Sequence, residues 1–423
     1  MSKIAVIGTG YVGLTTGACF AHVGHDVVCA DIDEAKVAML SRGEVPILEA
    51  GLDNLVREGL NGGRLSFVLG AAEAVADCEF AYLCVPTPQG ADGSADLSYI
   101  EDAAREIGPL LPTEAIVVNK STVPVGSTRV VERALGRSDI AVVSNPEFLR
   151  EGSAIHDFLH PDRIVIGAED QAAAVRVSSL YLGITAPVIV TDPASAETIK
   201  YAANAFLATK ISFINAVAAV CEAVGADIKD VALGMGYDTR IGHEFLRPGP
   251  GWGGSCFPKD TRAMVRIAED AGYDFNLLRG VVAVNDEQLS RVAQKVVDLA
   301  GGSVQGKRIA AWGLTFKART DDLRESPSLE VLARLADQGA EIRAFDPAVT
   351  RQLPGIEVVT DPYAAVEGAE VLAVLTEWDE FRWLDLEKVA GLMLNPKVVD
   401  ARNLLDRAAL LRHGFEYRGI GRS

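Results

Sequence analysis

Ile4-Ala5-Val6-Ile7-Gly8-Thr9-Gly10-Tyr11-Val12-Gly13 is the stretch that decides the fold of this chain. Four consecutive apolar residues read as a short strand buried on both faces, and the glycines end it at once. Residues 14–23 then read as a helix, and residues 27–30 as a second strand stopping at Asp31. A lone GxGxxG says little. Strand, GxGxxG, helix, strand and acid in that order form a dinucleotide-binding fingerprint. Gly8 makes the turn, Gly10 lets a pyrophosphate approach, and Gly13 lets helix and strand pack closely. The pyrophosphate belongs on the helix N-terminus. Asp31 suits a ribose 2′-hydroxyl, which favours NAD over NADP, although Lys36 or Arg42 could blur that preference.

The alternation continues outward. Residues 80–85 read as a strand ending in Pro86-Thr87-Pro88, and residues 115–118 as another ending in Lys120-Ser121-Thr122. Residues 140–143 form a third, followed by Ser144-Asn145-Pro146-Glu147-Phe148-Leu149-Arg150-Glu151-Gly152. Ligands of open parallel sheets bind beyond the carboxyl ends of strands, so Thr122, Glu147 and Glu151 are site candidates. Ordinary helix capping by the same residue types is the plainer alternative. Residues 164–167 and 188–190 read as further strands of this domain. Residues 195–224 hold neither proline nor glycine, and Ile199, Ala203, Phe206, Ile214, Val217 and Val220 recur at helical spacing. A helix this long links two domains and offers apolar sides to a partner subunit. Lys200 and Asn204 share one of its faces. Residues 308–312, 341–345, 371–375 and 397–400 supply the strands of a second doubly wound unit that lacks a full GxGxxG. Its strand ends carry the cations Lys317, Arg324 and Arg402, which suits a nucleotide or phosphate. The expected fold is α/β, two Rossmann-like doubly wound domains joined by a long central helix and a helical dimerisation region. The expected boundaries are 1–194, 195–300 and 301–423.

Between the two α/β units lies Gly249-Pro250-Gly251-Trp252-Gly253-Gly254-Ser255-Cys256-Phe257-Pro258-Lys259-Asp260. Glycines and prolines make a stiff loop presenting one thiol. A helix starting near Pro258 puts that thiol at a positive helix end, which favours the thiolate. A glycine-rich turn with an incidental cysteine is the plain alternative. Arg240 and Arg247 flank the loop and suit phosphates.

Composition narrows the rest. The chain has 423 residues, 49% hydrophobic, with a formal net charge of −18, which argues against nonspecific nucleic-acid binding. Six cysteines without CxxC or zinc-like spacing predict reduced thiols, no disulfide scaffold and no metal site. No apolar run is expected to span a membrane, and no signal peptide precedes the first strand, so a cytoplasmic protein is expected.

With these residues assembled, the chain resembles the UDP-glucose/GDP-mannose dehydrogenase family over essentially its whole length. The resemblance rests on GTGYVG, CVPTP, KSTVPVGST, SNPEFLREG, ETIKYAANAF, GGSCFPKD, GLTFKARTDDLRESP and VVDARN, in that order. The run RIGHEFLRPGPGWGGSCFPKD is more similar to the UDP-glucose branch than to the GDP-mannose branch. The resemblance implies oxidation of a nucleotide sugar's 6-hydroxymethyl group to a carboxylate with two NAD and one water. It implies Cys256 as nucleophile and Lys200 as the stabiliser of charge on a substrate oxygen, with Asn204 assisting. Asp260 would manage protons near the thiol, and Glu147 with Thr122 and a water would act as general base. NAD would meet Gly8, Gly10, Tyr11, Val12 and Gly13, together with Asp31, Lys36, Thr87, Thr122, Glu151 and Arg324. The nucleotide sugar would meet Phe148, Leu149, Glu151, Lys200 and Asn204. It would also meet Phe245, Arg247, Gly253, Phe316, Lys317 and Arg402. Arg240 would reach the substrate of a neighbouring subunit, which implies a homodimer or a higher homo-oligomer. Other nucleotide sugars (dTDP-glucose, GDP-mannose, a UDP-N-acetylhexosamine) are the alternative substrates. A two-electron hydroxyacid dehydrogenase and a nonenzymatic sensor of NAD or nucleotide sugar are the competing classes.

Overall fold

The computed structural model describes residues 1–88, 90 and 95–422. The chain divides into two compact units, Met1–Ala203 with Arg262–Ala271, and Asn204–Thr261 with Gly272–Ser423.

The first unit holds β1 (Lys3–Ile7), β2 (Asp26–Asp31), β3 (Leu65–Leu69), β4 (Phe80–Leu83), β5 (Ile116–Asn119), β6 (Ala141–Ser144), β7 (Ile164–Gly167) and β8 (Val188–Thr191). They form one sheet in the order β3-β2-β1-β4-β5-β6-β7-β8. The reversal of order beside β1 is that of a Rossmann fold. Neighbours run parallel except β6 and β7, which meet antiparallel through Ser144 and Gly167. The central strands are apolar along most of their length because both faces are covered. Ile4 and Val6 join a cluster with Leu14, Phe20 and Tyr82, whereas Ala5 and Ile7 join another with Ala74 and Ile100. Phe20 stands edge-on to Tyr82 and Phe158, with ring centroids 5.2 and 5.1 Å apart.

The second unit repeats the arrangement. Its strands are β9 (Arg308–Trp312), β10 (Glu341–Phe345), β11 (Ile356–Val358), β12 (Val371–Val374), β13 (Lys397–Asp400) and β14 (Glu416–Gly419). Their order is β11-β10-β9-β12-β13-β14, all parallel. Ile309 and Ala311 face one core, and Ala310 and Trp312 the other. The turn after the first strand is built alike in both units. Gly8 (φ +97°) donates to Ala30 O, and Gly313 (φ +95°) donates to Phe345 O, each at 2.8 Å. A side chain on Gly8 would strike the Cys84 carbonyl, and one on Gly313 would strike Thr376, so only glycine fits either turn.

The helix Pro193–Val224 runs 32 residues, about 48 Å at 1.5 Å per residue. One expectation changes here. The helix is long and apolar enough, by length and composition, to cross a membrane, with a mean hydropathy of 1.5 over its best window, so the absence of any such run is corrected. Isolated polar residues such as Lys210 and Asn215 break the apolar run to the eye but do not lower its average below that level. The apolar positions of the helix divide between buried and exposed. Ile214, Ala218 and Cys221 are buried in the second unit, whereas Phe206, Phe213, Val220 and Val224 are 65, 53, 59 and 71% exposed.

Candidate active site

The helix Tyr11–His22 starts directly after Gly10, and no side chain caps its first amides. A Cβ added at Gly13 would strike the Gly8 carbonyl, yet one added at Gly10 would meet nothing within 4 Å among the described residues. Gly13 therefore serves helix packing, while Gly10 leaves open space over free backbone N–H groups, as a dinucleotide pyrophosphate requires. Asp31 ends β2 and accepts from Thr9 N at 3.0 Å and Lys36 Nζ at 2.9 Å. Burial pushes its carboxyl up, but the Thr9 and Lys36 donors overcome this and hold it down at about 2. Arg42 is taken by Glu44 at 2.8 Å.

At the ends of β4 and β5, Thr87 Oγ1 donates to Thr122 O at 2.9 Å. Beyond β6, Glu147 is buried. Its Oε1 accepts from Lys200 Nζ at 2.8 Å, and its Oε2 accepts from Leu149 N at 2.6 Å. Burial works to raise this carboxyl, but the Lys200 ammonium and the Leu149 N–H keep it below the usual glutamate range. A carboxylate so held is charged and fixed, and it is a weak proton acceptor. Phe148 lies beneath Arg163, whose guanidinium is 3.7 Å from the ring centre. Arg150 closes on Asp157 at 2.6 Å, and Glu151 follows on the same loop. The first turns of the long helix carry a second buried acid, Glu197, that sequence reasoning missed. It accepts from Gly126 N at 2.6 Å and from Thr128 N at 3.0 Å. Glu197 and Lys200 thus tie one helix to the loops after β5 and β6. The signal was present in ETIKY, where two charges stand three apart in an otherwise apolar helix.

In the second unit, the helix Phe257–Asp270 begins directly after Cys256, whose carbonyl accepts from Asp260 N at 2.8 Å. Asp260 is fully buried, accepts from Asn204 Nδ2 at 2.6 Å and pairs with Lys259 Nζ at 2.8 Å. Five of the six cysteines are buried and Cys256 alone is half-buried. Burial pushes the Cys19, Cys78 and Cys84 thiols up to about 12. Cys256 sits instead at a helix N-terminus, where the dipole favours a thiolate.

The glycine loop is fastened by residues that sequence reasoning did not single out. Trp252 Nε1 donates to Ser212 Oγ at 2.9 Å, and Trp252 N donates to Asn285 Oδ1 at 2.8 Å. Gly249 N donates to Asn215 Oδ1 at 2.9 Å, and Gln288 Nε2 to Gly249 O at 2.7 Å. Trp252 is therefore an anchor. Amides at 285 and 288 on one apolar helix face were its available sign. Gly253 lies so close to the Glu325 carbonyl that an added Cβ would stand 2.0 Å from it. The missing side chain at Gly253 thus serves the chain's own packing.

Phe316 and Lys317 follow β9, and Lys317 Nζ lies 5.3 Å from the Phe316 ring centre. Arg402, after β13, donates to Leu375 O at 2.8 Å and Phe316 O at 3.2 Å and pairs with Glu377 at 2.9 Å. Arg324 is bound to Asp322 at 2.7 Å, and Arg240 to Asp238 at 2.6 Å. Arg240 is almost fully exposed, its side chain 87% accessible. Phe245 holds a positive φ of 62°, and Arg247, two residues on, is exposed.

The expected residues are thus gathered in two sets. Gly8 to Gly13, Asp31, Lys36, Thr87, Thr122, Glu147 to Glu151 and Lys200 belong to the first unit. Asn204, Arg240, Phe245, Arg247, Gly253, Cys256, Asp260, Phe316, Lys317, Arg324 and Arg402 belong to the second.

Three family models match the sequence. They describe the NAD binding domain (residues 2–185), the central domain (194–287) and the UDP binding domain (310–407) of the UDP-glucose/GDP-mannose dehydrogenase family. A UDP-glucose 6-dehydrogenase of Rhizobium meliloti (strain 1021) is 47% identical over 435 aligned residues, covering 99% of each chain. One of Bacillus subtilis (strain 168) is 46% identical, covering 100% of this chain and 94% of its own. The structure of a UDP-glucose dehydrogenase from Pyrobaculum islandicum superposes with a TM-score of 0.92 at 39% identity, covering 100% of this chain and 98% of that one.

Proposed function

The chain belongs to the UDP-glucose/GDP-mannose dehydrogenase family, and on that premise we propose that it oxidises UDP-glucose to UDP-glucuronate, consuming two NAD and one water. The single observation that carries the mechanism is Cys256, half-buried at the start of a helix whose first turn carries the buried Asp260, bonded to Asn204 of the long helix. Its function-bearing parts are a cofactor domain over 1–194, a helical domain over 195–300 and a nucleotide-sugar domain over 301–423.

NAD, when bound, accepts the hydride in each of the two oxidations. The glycine loop and the uncapped amides after Gly10 hold the pyrophosphate, and Asp31 orients the adenosine ribose. Thr87, Thr122 and Glu151 contribute the first unit's further cofactor contacts, and Arg324 is the second unit's candidate. The C6 aldehyde formed first is attacked by the Cys256 thiolate, giving a thiohemiacetal. Its oxidation leaves a thioester, and water then displaces Cys256 to release the carboxylate. Lys200 stabilises the negative oxygen at C6, with Asn204 donating beside it. Asp260 positions Asn204 and accepts a proton near the thiol. Glu147, held charged by Lys200, fixes that ammonium, and with Thr122 it orders the hydrolytic water. In the first unit Phe148 and Leu149 are the residues offered to the nucleotide sugar, and in the second unit Phe245, Phe316, Arg247, Lys317, Arg402 and the backbone at Gly253 are.

The exposed apolar row Phe206, Phe213, Val220 and Val224 supports a homodimer along the long helix, and the exposed Arg240 is the residue offered to a second subunit. Five buried thiols, none of them in a disulfide, support a cytoplasmic enzyme.

The test is the amount of NADH formed per nucleotide sugar consumed, run on UDP-glucose, dTDP-glucose, GDP-mannose and UDP-N-acetylglucosamine. Two NADH from UDP-glucose alone is expected. Two from another sugar moves the substrate, and one or none overturns the covalent route.

A further inference from the structure

Glu49 is a buried carboxylate that plays no part in the chemistry above. It lies between the helices Glu34–Ser41 and Leu52–Asn61. Three donors converge on it. Its Oε2 accepts from the Tyr11 hydroxyl and, at 2.6 Å, from Gly152 N. Its Oε1 accepts from Ala154 N at 2.9 Å. Gly152 N also donates to the Tyr11 oxygen at 2.8 Å. Tyr11 is the first residue of the helix that opens the glycine loop. Gly152 ends the loop that carries Glu147, Phe148 and Glu151, and Ala154 begins the next helix.

We propose that Glu49 is a positioning residue for the cofactor, a clamp that locks the Tyr11 turn of the glycine loop to the Glu147–Gly152 loop and so sets the affinity for NAD. The inference rests on the NAD reading of the glycine loop. The physical reason is donor arithmetic. Two carboxylate oxygens can satisfy three converging donors, because each oxygen has two lone pairs. A glutamine cannot do so, since its NH2 group would face either Ala154 N–H or the Gly152–Tyr11 pair. The two loops belong to different strands, β1 and β6, and the sheet separates those strands by two others. Backbone pairing alone therefore does not fix one loop against the other.

The experiment measures NADH binding by fluorescence on the full-length protein, for wild type, Glu49→Gln, Tyr11→Phe and the double variant, with unliganded melting temperatures alongside. Glu49→Gln should weaken NADH binding about tenfold, the cost of one badly satisfied buried donor. Its KM for NAD should rise, and its KM for the nucleotide sugar should rise less, since Phe148 and Leu149 ride on the same loop. Tyr11→Phe removes the hydroxyl that ties the glycine loop to Glu49 and Gly152 and should also weaken NADH binding. The double variant should bind no worse than the weaker single variant. Additive losses, or NADH affinity unchanged in Tyr11→Phe, would overturn the clamp. Tyr11→Phe leaves Glu49, Gly152 and Ala154 joined, so it decides the matter even if Glu49→Gln does not fold. Wild-type protein that fails to bind NADH would instead overturn the NAD reading itself.

Discussion

Lys200 Nζ lies 2.8 Å from Glu147 Oε1, and the two side chains are only 4 and 5% exposed. This buried pair joins the first turns of the long helix to the loop after β6. Breaking a buried pair from one side strands a charge, which typically costs about 3–5 kcal/mol. Lys200→Ala is therefore expected to lower the melting temperature and to cut kcat by about 100-fold or more, as loss of a charge-stabilising donor does. Calorimetry and steady-state kinetics check both.

The same pair sets an acid limit. The folded Glu147 carboxyl lies below its ordinary value of 4.5. A depressed folded pKa contributes stability above the unfolded pKa, and that contribution is lost as pH falls through the folded one. Asp31, held at about 2, behaves alike between its ordinary 3.8 and that value. Acid unfolding curves of Glu147→Gln and Asp31→Asn should lie flatter than wild type below about pH 4.5. Curves parallel to wild type would contradict these placements.

Cysteine reactivity should be confined to one position. Five thiols are buried and Cys256 is half-buried. Brief alkylation of the native protein, read by peptide mass spectrometry, should modify Cys256 first and abolish turnover. Cys256→Ser should take up no label on that timescale and should bind NADH as wild type does. It should not complete the second oxidation. Early labelling of Cys84 would mean that the β4 end is open.

The catalytic loop should be sensitive at its anchor. Trp252→Phe removes the bond to Ser212 and should cost about 1 kcal/mol. Gly253→Ala places a methyl group against the Glu325 carbonyl and should cost several-fold more, with a large fall in kcat/KM. Thermal melts of the two variants give the order directly.

Phe206→Glu and Phe213→Glu test the dimer. Both residues are more than half exposed and stand two helical turns apart. Each variant should shift the protein to monomer in light scattering. If Arg240 serves a neighbouring subunit, turnover should fall with the dimer.

Most of the sheet was legible because its central strands are buried on both faces and read as unbroken apolar runs. β7, β9, β10 and β13 occupy the expected residues, and the other expected strands shift by one or two. The strands missed, β3, β11 and β14, are all at sheet edges. Their burial is partial, as in Glu416–Gly419, so polar residues interrupt the pattern that marks a strand. Which apolar side of the long helix is buried was not legible for a related reason. Phe206 and Ile214 are both apolar, and periodicity cannot tell a face buried in its own unit from one left exposed.

Sequence by itself determined the two doubly wound units, the glycine loop before Asp31 and the one cysteine among glycines, because each is local chemistry at fixed spacing. Tertiary structure alone decided the pairings. Lys200 finds Glu147 across 53 residues, Asn204 finds Asp260 across 56, and Glu49 finds Gly152 across 103. Such partners follow from which loops and helices the fold brings together, and a buried polar group accepts whichever donor the fold delivers, at any separation along the chain.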